Sequence, residues 1–268
     1  VRRQRQMCIR DRYISDSSCR VKQPVEVLQE FWGYEQFRLK QAEIIDSVIK
    51  GNDTLALLPT GGGKSLCFQV PAMMQEGICL VISPLIALMK DQVDALNKIN
   101  IKALCITSEY MYKEIDAMFD RCVYDKEIKF LYLSPERLET YLARTRIALM
   151  NINLIAVDEA HCISEWGYDF RPSYLNIADI RPLHKKAPVI ALTASATPSV
   201  VKDIQQKLQF KKANVIAKSF ARDNLAYFVN WDEQKIDKAE RIAKKLRGSG
   251  IIYARSRICL LYTSDAAD

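Results

Sequence analysis

Two short stretches carry residue types that can do chemistry on a polyphosphate. The first is Leu55-Ala56-Leu57-Leu58-Pro59-Thr60-Gly61-Gly62-Gly63-Lys64-Ser65-Leu66. Glycines let backbone N–H groups turn toward phosphate oxygens without Cβ clashes. A lysine directly after them can reach the β- and γ-phosphates, the next serine hydroxyl can bind Mg²⁺, and a helix start favours the negative charge. The strict spacing G-x-x-x-x-G-K-S/T is not met, because Leu58 stands at the first glycine position. The second stretch, Asp158-Glu159-Ala160-His161, follows the apolar run Leu154–Val157. A carboxylate at the C-terminal end of a strand can hold, through the metal's water shell, the Mg²⁺ that bridges β- and γ-phosphates. Asp158 takes that role in this reading, and Glu159 orients or deprotonates the attacking water.

These groups have to be positioned by strands that deliver them and helices that cover the strands. Leu55–Leu58 is a continuous apolar run suited to a buried parallel strand, and the segment after Ser65 can open a helix. Downstream, strand candidates (Ile78–Ile82, Lys102–Ile106, Ile128–Leu133, Leu154–Val157, Val189–Thr193) alternate with helix candidates (Ile86–Lys98, Tyr112–Val123, Leu138–Ala143, Val200–Leu208). Upstream, Val25–Trp32 and a segment ending at Ile49 read as helices. The alternation predicts an α/β fold, a parallel sheet with helices on both faces. Near residue 215 the pattern changes: Val215–Phe220 and Leu225–Val229 read as strands, Glu233–Leu246 as a charged helix, and Ile251-Ile252-Tyr253 as the first strand of another α/β domain. No internal repeat or low-complexity segment interrupts the chain.

The two ends mirror each other at the level of DNA. With one choice of codons, Arg2–Asp11 back-translates to a segment whose opposite strand, shifted by one frame, encodes Cys-Leu-Leu-Tyr-Thr-Ser-Asp-Ala-Ala-Asp. That is Cys259–Asp268 residue for residue. Residues 1–12 and 259–268 are therefore expected to be read-through of a sequencing adapter, disordered and outside the fold, with a gene product that continues in both directions. The basic N-terminus is accordingly not read as a nucleic-acid-binding arm. The chain of 268 residues carries a formal charge of +7, and it stays mildly basic without its ends, which permits a polyanionic partner without demanding one. Six of the eight cysteines lie between the ends (Cys19, Cys67, Cys79, Cys105, Cys122, Cys162) with no C-x-x-C pair. They read as reduced, buried thiols of a cytosolic protein. No apolar run approaches membrane-spanning length.

Several motifs together resemble the RecQ family of superfamily 2 DNA helicases over residues 25–257. Pro59–Ser65 is similar to that superfamily's phosphate loop, in which the first glycine is dispensable. Phe31-Trp32-Gly33-Tyr34, with Phe37, Arg38 and Gln41, resembles the family's adenine-recognition motif. Ser83-Pro84-Leu85-Ile86-Ala87-Leu88-Met89-Lys90-Asp91-Gln92 and Ser134-Pro135-Glu136-Arg137-Leu138 resemble motifs lining its single-strand track. Thr193-Ala194-Ser195-Ala196-Thr197 resembles the motif coupling nucleotide to DNA. Ser164-Glu165-Trp166-Gly167-Tyr168-Asp169-Phe170-Arg171-Pro172-Ser173-Tyr174 resembles the RecQ aromatic-rich loop, with Tyr168 where a histidine is usual. Ser219–Leu225 resembles the linker between motor domains, and Gly250–Arg257 the first motif of the second motor, with Ala254 where cysteine is common.

The resemblance implies a P-loop, RecA-like first motor domain at 13–222, and a linker with the truncated start of a second RecA-like domain at 223–258. It implies an ATP-dependent enzyme that moves 3′ to 5′ on single-stranded DNA, unwinds duplex and serves DNA repair and recombination in the bacterial cytoplasm or nucleoid. Its cofactors would be ATP and Mg²⁺, with zinc only in a C-terminal part beyond this chain. It implies that Lys64, Asp158 and Glu159 are catalytic, and that Tyr34 and Arg38 sandwich adenine while Gln41 bonds its edge. Thr60, Gly61, Gly62, Gly63, Lys64 and Ser65 would hold the phosphates, and Ser65 with Asp158 the metal. Pro84, Leu85, Ser134, Arg137, Trp166, Phe170 and Arg171 would meet DNA, and His161, Thr193, Ser195 and Thr197 would couple the two sites. A piece of this extent is expected to bind ATP–Mg²⁺ weakly and to unwind nothing. Two alternatives stand beside this reading: an RNA-dependent ATPase or helicase, and a nucleotide-gated DNA-binding module without unwinding.

Overall fold

A computed structural model describes residues 22–59, 61–167, 169–218, 225–246, 248 and 250–253. The expectations for residues 1–12 and 259–268, Thr60, Tyr168, Cys19, the linker motif at 219–224 and Ala254 lie outside these residues. The chain divides into two units, 1–220 and 221–268.

Seven parallel strands form the sheet of the first unit: β1 (Thr54–Leu57), β2 (Ile78–Ile82), β3 (Ala103–Ile106), β4 (Phe130–Leu133), β5 (Ile152–Val157), β6 (Val189–Thr193) and β7 (Val215–Ala217). Their order across the sheet is β3-β4-β2-β5-β6-β1-β7. β1, β2, β4, β5 and β6 are buried at every residue. Strands covered on both faces read as unbroken apolar runs, and this is what made them visible in the sequence. The period of two then sorts each strand's side chains between two cores. Leu55 and Leu57 face the layer that holds Ile115, Phe119, Ile147 and Tyr174. Ala56 and Leu58 face the layer that holds Ile44, Phe68, Met89 and Val93.

Among the described residues, the helices of this unit are α1 (Pro24–Trp32), α2 (Gln41–Ile49), α3 (Leu66–Met73), α4 (Ile86–Lys98), α5 (Tyr112–Tyr124), α6 (Tyr141–Leu149) and α7 (Pro198–Lys207). None is long and apolar enough to cross a membrane. At the N-terminal edge of the sheet, Asp53 leads into β1 and is fully buried. It accepts bonds from the Arg181 guanidinium at 2.8 Å, the Val189 N–H at 2.9 Å and the Lys211 N–H at 2.7 Å. One carboxylate thus ties the starts of β1 and β6 to the approach to β7. Cys67, Cys79, Cys105, Cys122 and Cys162 are free and buried, and burial pushes the Cys67 and Cys122 thiols up to about 12.

Three expectations are corrected. The helix expected over Leu138–Ala143 is a 3₁₀ turn, Pro135–Glu139, followed by α6. Thr140 separates the two by accepting the Ala143 N–H on its hydroxyl, an N-cap that restarts the chain as an α-helix. The strands expected at Leu225–Val229 and Ile251-Ile252-Tyr253 are not strands. A strand's N–H and C=O groups need a neighbouring ladder, and among the described residues none pairs with these runs. Among the described residues of the second unit, the regular element is α8 (Lys235–Lys245), inside the charged helix expected there. Smaller shifts are late starts for β3 and β4, an early start for β5 at Ile152, and an end of β7 at Ala217.

Candidate active site

The motifs lie at the C-terminal ends of five adjacent strands. Across β4, β2, β5, β6 and β1 these ends lead into Ser134–Arg137, Ser83–Leu85, Asp158–His161, Thr193–Thr197 and Gly61–Ser65. Ligands of open α/β sheets bind in such a crevice.

The glycine loop has the backbone that a phosphate cradle needs. Gly61 and Gly63 have φ of +76° and +68°, and a Cβ on Gly62 would lie 2.9 Å from the Pro59 carbonyl oxygen. A Cβ on Gly63 would collide with the Gln41 amide. That amide, 2 % exposed, donates to Gly63 O at 2.9 Å and Gly62 O at 3.2 Å, and its oxygen accepts the Arg38 N–H at 2.8 Å. Gln41 therefore braces the loop here, where the resemblance implied a bond to a base edge. The exposed Tyr34 ring has the Arg38 guanidinium 5.8 Å from its centroid, a cation–π pair. Tyr34, Arg38, Gln41 and the glycines share a cavity of about 150 Å³. Ser65, at the start of α3, spends no side-chain bond on capping, which leaves its hydroxyl suited to a metal.

Asp158 directly follows β5 and is 7 % exposed. Its carboxylate accepts the Glu159 N–H at 3.0 Å and faces the Ser83 hydroxyl at 3.5 Å. Burial and the neighbouring Glu159 charge hold its carboxyl above the usual range. Glu159 sits at φ +45°, a left-handed conformation that costs a non-glycine residue about 1–3 kcal/mol and that clusters at functional sites. The His161 bond, reinforced by Lys64, pulls its carboxyl down. Lys64 Nζ is 3.7 Å from one Glu159 oxygen and His161 Nδ1 3.3 Å from the other. The Cys162 sulfur, 3.8 Å from Nε2, and Glu159 push the imidazole up to about 10. Positive Lys64, negative Glu159 and positive His161 thus alternate along one line. His161 Nδ1 also lies 3.0 Å from the Thr193 hydroxyl, which donates to Ser195 O at 3.1 Å.

Of the residues assigned to coupling, Thr193 meets His161 directly and Ser195 is linked to it only through the Thr193 hydroxyl. The Thr197 hydroxyl is engaged elsewhere: it accepts the Val200 N–H and caps α7. The signal was present in sequence, since Thr197-Pro198 places a good N-cap directly before a proline at the first helical position.

In the aromatic loop, Trp166 is 75 % exposed, and Phe170 has the Lys207 ammonium 5.5 Å from its ring centroid. Gly167 is required, because a Cβ there would meet His161 O at 2.8 Å. Trp166 and Gly167 face Ala194–Thr197 across a cavity of about 380 Å³ that His161 also lines. Arg171 donates to Pro84 O at 3.4 Å and to Asp169 at 3.3 Å, and Leu85 is exposed beside Pro84. Ser134 is half-buried at the end of β4, and Arg137 reaches back to Thr107 O at 3.1 Å. Sequence reasoning gave no role to Ser83, Cys162, Tyr174 or Lys207. Ser83 and Tyr174 stood inside quoted motifs, whereas nothing local marks Lys207 as a partner of Phe170.

No group of three or more His, Cys, Asp and Glu side chains among the described residues is arranged to hold a metal. Mg²⁺ bound with substrate phosphates needs only one or two carboxylates or hydroxyls, and Ser65 with Asp158 fit that case.

Residues 38–204 match the DEAD/DEAH box helicase family. The chain is 44 % identical over 238 residues to the ATP-dependent DNA helicase RecQ of Bacillus subtilis, covering 86 % of this chain and 39 % of that protein. It is 42 % identical over 209 residues to an Acanthamoeba polyphaga mimivirus protein named as an ATP-dependent RNA helicase, covering 77 % and 37 %. The chain therefore spans well under half the length of these relatives. Among solved structures, the DUF1998 helicase MrfA superimposes with a TM-score of 0.65 at 16 % identity, over 92 % of this chain and 40 % of that one, which shows the same fold.

Proposed function

The chain belongs to the DEAD/DEAH box helicase family, and from that premise we propose that its parent protein is an ATP-dependent DNA helicase. It moves 3′ to 5′ on single-stranded DNA, opens duplex, and works in the bacterial cytoplasm in repair and recombination. The observation that carries this reading is the line Lys64, Glu159, His161, Thr193: side chains from three strand ends, linked by contacts of 3.0–3.7 Å. A triphosphate on the glycine loop gives Lys64 a stronger anionic partner than Glu159, so occupancy of the loop is felt at His161 and then at Thr193 and Ser195. The second residue of that line is the one assigned to the attacking water.

Each side chain then has one task. Lys64 and the loop N–H groups hold the β- and γ-phosphates, Ser65 and Asp158 hold Mg²⁺, and Glu159 orients or deprotonates water. Mg²⁺, when bound, neutralises charge developing between the phosphates. Tyr34 and Arg38 flank the adenine. Trp166 and Phe170 offer faces on which bases stack, and Arg171 offers a cation for phosphate. The 268-residue chain by itself binds ATP–Mg²⁺ weakly and unwinds nothing. An unwinding signal from it would sink that statement.

The mimivirus relative's name favours a second reading, an RNA-dependent ATPase. ATP turnover by the parent protein, measured with single-stranded DNA and with RNA of equal length, separates the two. Stimulation by DNA at least ten-fold above RNA is expected. Equal stimulation, or stimulation by RNA alone, overturns the DNA assignment.

A further inference from the structure

The ladder between β2 and β5 breaks at the site. The Asp158 N–H donates to Ile82 O at 2.8 Å, in the regular parallel pattern. That pattern places the next donor, the N–H of residue 84, against Asp158 O. Residue 84 is proline and has no N–H. Asp158 is buried, so its carbonyl needs another donor. The Tyr174 hydroxyl supplies it at 3.0 Å, from a side chain that is itself fully buried.

A second prong reaches the other side of the gap, where Arg171 donates to Pro84 O at 3.4 Å. Arg171 caps the 3₁₀ segment Pro172–Ile180 and Tyr174 lies within it. One short stretch, Arg171–Tyr174, thus clamps both edges of the missing rung. The peptide plane whose carbonyl Tyr174 holds also carries the Glu159 N–H. That N–H donates to Asp158 Oδ1 at 3.0 Å, and Glu159 follows it at φ +45°. A single plane is therefore held from outside by Tyr174 while it holds the Asp158 carboxylate from within.

We propose that Tyr174 is a positioning residue for Asp158. Its hydroxyl replaces the rung that Pro84 cannot make, fixes the Asp158–Glu159 peptide plane, and so sets the direction of the carboxylate assigned to Mg²⁺. It also places the exit of the aromatic loop one hydrogen bond from that carboxylate's backbone. The proposal rests on the nucleotide-site reading above. Partners that orient a metal ligand typically carry about 10–100-fold in metal affinity.

The test is Tyr174→Phe in the 268-residue chain, with a methylanthraniloyl ATP as probe. The Mg²⁺ concentration giving half-maximal binding rises about ten-fold, while binding in EDTA and the far-ultraviolet circular dichroism stay as in the wild type. Pro84→Ala with Tyr174→Phe restores a backbone N–H at the gap and brings the Mg²⁺ requirement back toward the wild-type value. A Tyr174→Phe chain with wild-type Mg²⁺ dependence overturns the proposal, as does a double variant that shows no recovery. Amide exchange needs no nucleotide: protection of the Glu159 N–H drops about ten-fold in Tyr174→Phe, and unchanged protection overturns the proposal by itself. If the wild-type chain binds no probe while protection drops as expected, the nucleotide-site reading fails and the clamp stands.

Discussion

The sheet holds a buried aspartate at each end, and their surroundings could hardly differ more. Asp53, entering β1, meets a guanidinium and two backbone N–H groups, all within 2.9 Å. Asp158, leaving β5, has one N–H at 3.0 Å, from the residue next to it, and a serine hydroxyl at 3.5 Å. Lys64, a cation close enough to lower the Asp158 carboxyl, is ion-paired with Glu159 instead. The first aspartate is fully satisfied and serves the architecture. The second has fewer donors, and burial and the Glu159 charge hold its carboxyl raised. Burial alone does not separate the two carboxylates; the donors around them do.

The largest effect should fall on the satisfied one. Asp53→Ala leaves the buried Arg181 with the Leu208 carbonyl but no counter-ion and strips two N–H groups, so urea unfolding is expected to show a loss of about 3–5 kcal/mol. A loss under about 1 kcal/mol would remove the basis of the contrast. Asp158→Asn should do the reverse. A carboxyl raised in the folded state makes stability fall as pH rises through the window above its unfolded value, so at pH 7 removing the charge is neutral or stabilising. ATP turnover by the parent protein, in contrast, should fall about 100-fold or more through the lost metal ligand.

His161 supplies the pH test. Its folded value is about 10 against an ordinary 6.5, so its stabilisation is fully present below about 6.5 and is lost as pH rises through about 10. Thermal midpoints between pH 7 and 10 should therefore fall more steeply for the wild type than for His161→Gln. Parallel slopes would show that the imidazole is not held protonated. The smallest effect concerns Thr197. Thr197→Ala should cost about 1 kcal/mol as a lost helix cap with ATP turnover unchanged, whereas Thr193→Val should lower turnover with little change in stability. A turnover defect in Thr197→Ala would return that residue to the coupling role its motif suggested.

What could be read from the sequence follows from what is local. β1, β2 and β5 are covered on both faces, so their apolar runs announced them, and the glycine loop and the Asp158–His161 stretch each carry their chemistry within a few residues. Partnerships between distant residues left no mark. Asp53 and Arg181 are 128 apart, and Ser83 and Asp158 75 apart, and neither side of either pair signals the other. Gln41 was visible as a motif residue, but its engagement with Gly62 and Gly63 depends on how α2 packs beside the loop. The apolar runs at 225–229 and 251–253 misled for the complementary reason. Hydrophobicity can nominate a strand, but only a neighbour with free N–H and C=O groups can make one.

The strand order has a consequence in time. β1 emerges first from the ribosome, yet its two neighbours, β6 and β7, are the last strands of the sheet to be made. At about 5–20 residues per second, the wait between them is on the order of 10–30 s. Throughout that interval the glycine loop is attached to a strand whose two neighbours in the sheet have not yet been made. The glycine loop is made well before the strands that fix it in the sheet.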